Sequence, residues 1–395
     1  MCDHERVVAA TWRERNDAAL AVAIQVLRHG PISRTDIAQR LGLSAGSLTR
    51  LSRPLLDEGL IREVGDTNDG RVGRPKQLLD IDADSRAFIG IKVRESEVIA
   101  ALANLRGVII RQSATPLADT TPATVVDTIA ELVTQLGNGT PISGIGIGVG
   151  GVVAERSRVV LSPNLGWDGV ELARLVAERT GIATLVDNDV VAFTEYEHWF
   201  GEGRDVDRFA VVTLGVGTGF GLVINGAQIV NQDHGLGLVN HWPLDAAGPM
   251  CPAGHRGCVD SIVNSESIIR RASDALRSTV DFDEVLRLAE EGQPAAHAIV
   301  QDAGRGLGRL LAAICNLTLP ERVIIGGESV GLARVARSAL DEGFAADRDP
   351  AATSPTLVLA TGNNVEWCRG AAVLAIQAFV QTPSSRARGS ARSVD

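Results

Sequence analysis

From Phe88 onward, short apolar runs rich in Val and Ile alternate with longer stretches of helical period. The strand-like runs are FIGIKV, EVIAALA, GVIIRQ, SGIGIGVGG, ATLVD, FAVVTLG, GFGLVI, RVIIGG and TLVLA, and the helical stretches are 121–136, 169–180, 189–200, 294–317, 329–341 and 365–381. Strands and helices that alternate in this way must bury their apolar faces against one another in layers. The pattern predicts a mixed α/β domain over residues 83–381, long enough for two lobes. Glycine turns follow strands at GVGTGFG (215–221) and IGGE (325–328). Such turns present backbone amides to phosphate, or simply make tight bends.

The first eighty residues read differently. DAALAVAIQVLRH (17–29) puts Leu20, Ala23, Ile24 and Leu27 on one helical face, and Gly30-Pro31 ends it. Ser33 caps a second helix with Asp36 at the capping-box position. Gly42 makes the turn, and Ser44 caps a third helix that begins AGSLTRLSRPLLDEG. Helix, glycine turn and helix form the helix-turn-helix pattern. Leu60–Val64 and Gln77–Ile81 read as strands flanking the loop DTNDGRVGRPK, which makes the unit (1–82) a winged helix-turn-helix. Ser44, Ser47, Thr49, Arg50 and Arg53 lie where the third helix meets base edges or phosphates. Arg71, Arg74 and Lys76 ride on the wing, whose arginines suit a narrow minor groove. Pro54 removes a helical hydrogen bond just beyond these residues and should kink the helix.

Net charge, −10, argues against nucleic acid, but residues 28–76 hold nine Arg or Lys against six Asp or Glu. The acidic balance belongs to the rest of the chain. No apolar run approaches the roughly 20 residues of a membrane span, and the charged N-terminus lacks a signal-peptide core. Five cysteines, odd in number and sparse, argue against a disulfide framework. A cytoplasmic protein without a membrane partner is expected, with a disordered tail over 382–395.

A winged helix followed by VDNDV, LGVGTGFGLVINGAQI, a histidine with two downstream cysteines, and RVIIGG resembles the ROK family of repressors and sugar kinases. The resemblance covers nearly the whole chain. It implies an actin-like, hexokinase-like fold of two lobes around a sugar cleft. It also implies that a member with a winged helix is a transcription factor acting as a homodimer or homotetramer on operator DNA. In the family's kinases a D-x-G-x-T turn holds the nucleotide phosphates. Here GIKVRES (90–96) stands in that place, with Lys92 for the acid, Arg94 and Glu95 for glycines, and Ser96 for threonine. Side chains at the glycine positions block close approach of phosphate, so no ATP is expected and no catalytic residue is assigned. The rival reading is a working sugar kinase with a DNA-binding appendage.

The resemblance further implies a sugar effector held by Asn164, Asn188, Asp189, His241 and Asp260. Asp189 stands at the family's general base and Asp260 replaces a glutamate. Leu238 stands where the family has another glutamate, which removes acceptors a hydroxylated ligand would use. The family's zinc site takes a histidine and C-x-C-x4-C. His241, Cys251 and Cys258 match three positions and Ala253 vacates the fourth. His255 or a water would complete one structural zinc site; the alternative is a relic loop whose cysteines only pack.

Overall fold

The computed structural model describes residues 17–67 and 76–381. The expected tail (382–395) and the wing tip, with Arg71 and Arg74, lie outside the described residues. Helices α1 (Asp17–His29), α2 (Arg34–Leu41) and α3 (Ala45–Asp57) pack with a sheet of order β1-β3-β2, formed by β1 (Ile32–Ser33), β2 (Arg62–Thr67) and β3 (Lys76–Asp80). Ser33 accepts from the Asp36 amide at 3.1 Å, and Gly42 adopts φ 62°, so both capping expectations hold. The buried face of α1 centres on Val22, Ala23, Val26 and Leu27, with Leu20 and Ile24 on its flank. Helix α3 continues through Pro54 to Asp57. There Pro54 lacks the N–H that would bond the Arg50 carbonyl.

The first lobe is built on the mixed sheet β11-β7-β4-β5-β6. Its strands are β4 (Ala87–Val93), β5 (Glu97–Asn104), β6 (Ile109–Pro116), β7 (Ile142–Val149) and β11 (Thr184–Asn188). A small sheet of β8 (Val152–Ala154), β9 (Arg158–Ser162) and β10 (Trp167–Val170) extends it. Helices α4 (Pro122–Gly137) and α5 (Leu172–Thr180) cover one face. Helix α6 (Asp189–Trp199) leaves the end of β11.

The second lobe repeats this plan. Its sheet order is β16-β15-β12-β13-β14, from β12 (Arg208–Leu214), β13 (Thr218–Ile224), β14 (Ala227–Gln228), β15 (Arg322–Gly326) and β16 (Thr356–Leu359). In both sheets an antiparallel meander is followed by two strands added in parallel on the other side. Helices α7 (Val259–Ile262), α8 (Ser265–Leu276), α9 (Phe282–Glu290), α10 (Pro294–Thr318), α11 (Gly331–Val335) and α12 (Arg337–Ala346) accompany it. The stretch read as one helix over 329–341 breaks at Ala336, and α7 to α9 escaped the sequence pattern altogether.

Helix α13 (Val365–Gln381) follows β16 as α6 follows β11, and these two helices lie together at the centre. The approach of α13 to the first sheet needs glycine: a Cβ on Gly146 would stand 1.8 Å from the Ala371 carbonyl oxygen. One apolar cluster joins Val26, Leu27, Ile37, Leu48 and Leu55 to Phe88, Leu105, Trp199, Val373 and Ile376. The winged unit therefore shares core with the lobes rather than hanging on a linker. Among the described residues, no helix is long and apolar enough to cross a membrane.

Candidate functional site

Sheet register brings Lys92 and Asp189 together where the two lobes meet. Lys92 on β4 pairs with Gly148 on β7, and Gly148 pairs with Asp187 on β11. Asp189 follows two residues later, at the first position of α6. Only a glycine stands between, so the Lys92 ammonium reaches across and donates to Asp189 Oδ2. The pair is largely enclosed, with side chains 9% and 14% exposed. Lys92 Nζ also lies 4.9 Å from the Trp367 ring centroid, a cation–π contact. Asp189 Oδ1 accepts from the Val190 amide at 2.8 Å. Both carboxylate oxygens thus have donors.

Two residues further on, the chain works the same way. Arg94 reaches the opposite lobe, where its guanidinium is 3.3 Å from Glu328 and 3.4 Å from Asn364 Oδ1. Lys92 and Arg94 therefore hold the starts of both central helices, Asp189 on α6 and Asn364 just before α13. Glu328 ends the glycine turn IGGE after β15; the sequence assigns neither it nor Trp367, near the start of the last helix, a role at the site. The visible signal was a cation at a family acid position, which demands a carboxylate partner when buried.

Asn188 caps α6: its Oδ1 accepts from the amides of Val190 (3.0 Å) and Val191 (3.3 Å), and its Nδ2 donates to the Gly151 carbonyl (2.9 Å). Its side chain is engaged and 4% exposed, which makes it a positioning residue for Asp189. Neighbouring Asp187 is pushed up to about 6, chiefly by burial, with Arg156 opposing. Asn164 stands exposed in the β9–β10 turn. The second lobe's loop closes onto this place at Gly235, φ +93°, where a Cβ would meet the Gly151 carbonyl at 1.9 Å.

That loop leads to His241, Cys251 and Cys258, whose donor atoms lie within 4.8 Å of one another. His241 Nδ1 is 3.8 Å from Cys251 Sγ and 3.9 Å from Cys258 Sγ. A zinc tetrahedron with bonds of about 2.0–2.3 Å has edges of roughly 3.5–3.8 Å, so three donors fit the ion with small adjustment. His255 Nδ1 lies 3.7 Å from Cys251 Sγ, and its ring sits 4.3 Å from that of His241, beside the three-donor group rather than within it. Asp260 accepts from Asn264 at 2.7 Å, and Asn264 accepts from the Thr218 hydroxyl at 2.6 Å. The loop is thereby tied to the GVGTGFG turn. That turn joins β12 to β13, as the structural reading of its glycines expected.

On the DNA side, Ser44 accepts from the Ser47 amide as the cap of α3, at 3.1 Å. Thr49 donates to the Ala45 carbonyl at 2.9 Å. Thr49, Arg50 and Arg53 are exposed on the face opposite buried Leu48, Ser52 and Leu55, while Ser47 is half-buried. Lys76 begins β3, and its side chain lies outside the described residues.

Comparison with known proteins matches these two parts. Residues 22–72 match the MarR family model and residues 88–378 the ROK family model. The DNA-binding transcriptional dual regulator NagC of Escherichia coli K12 is 26% identical over 333 residues, covering 80% of this chain and 81% of NagC. A crystal structure of a ROK family transcriptional regulator, described as a homolog of the E. coli MLC protein, superposes with TM-score 0.79 at 23% identity, over 96% of this chain and 98% of that one. A ROK family glucokinase from Streptomyces griseus, in complex with glucose and AMPPNP, shares the two-lobed part alone. It matches with TM-score 0.65 and 23% identity over 74% of this chain and 99% of the glucokinase. The chain belongs to the ROK family.

Proposed function

We propose that this protein is a DNA-binding regulator of carbohydrate genes, a repressor, whose kinase-like domain senses a sugar and transfers no phosphate. The observation that carries this reading is the Lys92–Asp189 pair. A general base must offer a lone pair to the sugar hydroxyl, and at Oδ2 that place is taken by an ammonium from the phosphate turn itself. Arg94 and Glu95 stand where backbone amides would cradle phosphate. The domain limits 1–82, 83–381 and 382–395, a cytoplasmic location and a homodimer on paired half-sites belong to the same reading, since one winged helix spans one half-site.

The route from ligand to DNA runs along α6. Its first turn carries Asp189. Near its other end, Arg28 of α1 donates to the carbonyls of His198 and Arg204, both at 2.7 Å. A sugar that favours one lobe arrangement would therefore move the winged unit with the helix. Clearing a nearly full operator requires about 5.5 kcal/mol of differential affinity. A few hydrogen bonds to charged groups, at roughly 1.5–3 kcal/mol each, supply that. His241, Cys251 and Cys258 would hold one structural zinc, bracing the loop that presents His241 and Asp260 to the cleft.

Two measurements test this. Incubation with ATP and common hexoses should give no phosphorylation above background; turnover that disappears in Asp189→Asn would overturn the non-catalytic reading. Arg50→Ala and Arg53→Ala should each weaken operator binding by about 1–3 kcal/mol if they contact bases. Unchanged affinity and salt slope for both would remove α3 from the interface.

A further inference from the structure

Where the winged unit meets the first lobe, a cavity of about 430 Å³ is lined by Arg28, His29 and Arg40 from one side and Arg106, Arg204 and Asp205 from the other. Four guanidinium groups gather around this space. Asp205, the carboxylate on the wall, lies 3.5 Å from Arg204 and 3.7 Å from His29. Arg106 is paired with Asp80 outside the lining. Arg40 is exposed and no partner for it is found among the described residues. Four arginines therefore meet two paired carboxylates, Asp205 and Asp80, with Glu195 also acting on Arg28, and the surplus is still positive.

The charges are held in place by the fold. Arg28 is fixed by the carbonyls of His198 and Arg204, while its Nε, like that of Arg106, is buried without a partner. His29, with a side chain 10% exposed, is pushed down to about 4 by burial and by Arg40 and Arg28, against the pull of Asp205. It stays neutral near pH 7, leaving one ring N–H as donor. Guanidinium forks are the side chains best matched to tetrahedral oxyanions.

We propose that this junction is a binding site for a small phosphate-bearing anion, either inorganic phosphate or the phosphate group of a sugar ester. Such an anion bridges Arg40 on the winged unit to Arg204 on the lobe. It is separate from the Asp189 cleft and lies at the opposite end of α6.

Calorimetric titration of the full chain with inorganic phosphate, glucose 6-phosphate and glucose tests it. Saturable binding of one or both phosphates, with none at this site by glucose, is expected. The double variant Arg40→Gln/Arg204→Gln should raise the anion's Kd at least tenfold, and Arg40→Lys/Arg204→Lys, which keeps the charge but loses the fork, should fall between that variant and the wild type. Phosphate binding without the ester assigns the site to the free ion; binding of the ester alone assigns it to the sugar phosphate. No binding of either anion, or equal Kd in the wild type and the Gln double variant, overturns the proposal. So does a Gln variant that lowers operator affinity while neither anion binds the wild type, because Arg40 then serves DNA phosphates.

Discussion

The turn between β4 and β5 and the turn between β12 and β13 occupy the same place in two copies of one sheet plan. Their contents differ completely. The second keeps Gly215 and Gly217, and its neighbours are Glu328 and the Asn240 side chain. The first presents Lys92 and Arg94, which bind the starts of α6 and α13 and the opposite lobe. A turn of bare backbone leaves room for a ligand's charge, whereas a turn that supplies its own cations satisfies the neighbouring acceptors internally. The repeated sheet plan thus provides its own control, with one turn made of glycine backbone and the other of cationic side chains.

Removing one member from each turn gives the largest contrast. Lys92→Ala leaves Asp189 enclosed without its counter-charge, and breaking an enclosed pair in this way costs about 3–5 kcal/mol. Gly217→Ala places a Cβ 3.6 Å from Asn240, ordinary contact at a φ open to any residue, and should shift stability by no more than about 0.5 kcal/mol. Urea unfolding of both variants measures the difference. Equal losses would mean that the first turn is no more structural than the second. Lys92→Met combined with Asp189→Leu should recover much of the loss, since an apolar pair of similar size has no charge to strand.

The central helices differ as well. Helix α13 buries no ionisable carboxylate, its one buried polar side chain being the neutral amide of Gln377, whereas α6 carries Glu197, 4% exposed and pushed up to about 7 by burial, with the Glu202 amide opposing and Glu366 adding to the effect. A raised folded value means the protonated acid favours the fold. That contribution is complete below the unfolded value near 4.5 and is lost as pH rises through about 7. The loss is on the order of 3 kcal/mol. Stability measured from pH 4.5 to 8 should decline over this window, with Asp187 adding a decline between about 4 and 6. Glu197→Gln should flatten the upper part, and an unchanged profile would show that Glu197 gains no such proton on folding.

Much of this was legible in the sequence for local reasons. Caps at Ser33 and Ser44, the turn at Gly42 and the strand period from Phe88 onward are short-range signals, and all appear where expected. Lys92 was visible as a replacement but not as a partner. Its contact with Asp189 spans 97 positions and depends on the register of three strands. The duplication was equally hidden, because strand order is a property of pairing and leaves no repeat in the residues. Helices α8 and α9 lie outside the predicted elements although both are strongly amphipathic, because their few apolar residues are scattered among charged and polar ones and form no continuous run. Asn188 was read as a sugar contact, and a cap and a sugar contact look identical in sequence.

The smallest effect separates the two cations of the first turn from each other. Arg94 and Glu328 are 28% and 31% exposed, and their 3.3 Å contact crosses between lobes. An ion pair this open is worth about 0.2–1 kcal/mol and weakens as salt shortens the screening length from about 10 Å at 0.1 M to about 3 Å at 1 M. The Lys92–Asp189 pair is screened far less, because water and ions do not surround it. Double-mutant cycles at 0.1 M and 1 M salt, using Arg94→Ala with Glu328→Ala and Lys92→Met with Asp189→Ala, should therefore diverge. The first coupling energy should fall toward zero while the second holds. If the Lys92 coupling collapses with salt as well, the pair is solvated in solution, Asp189 is free to act on a sugar hydroxyl, and the distinction between the two turns fails at the residue on which it most depends.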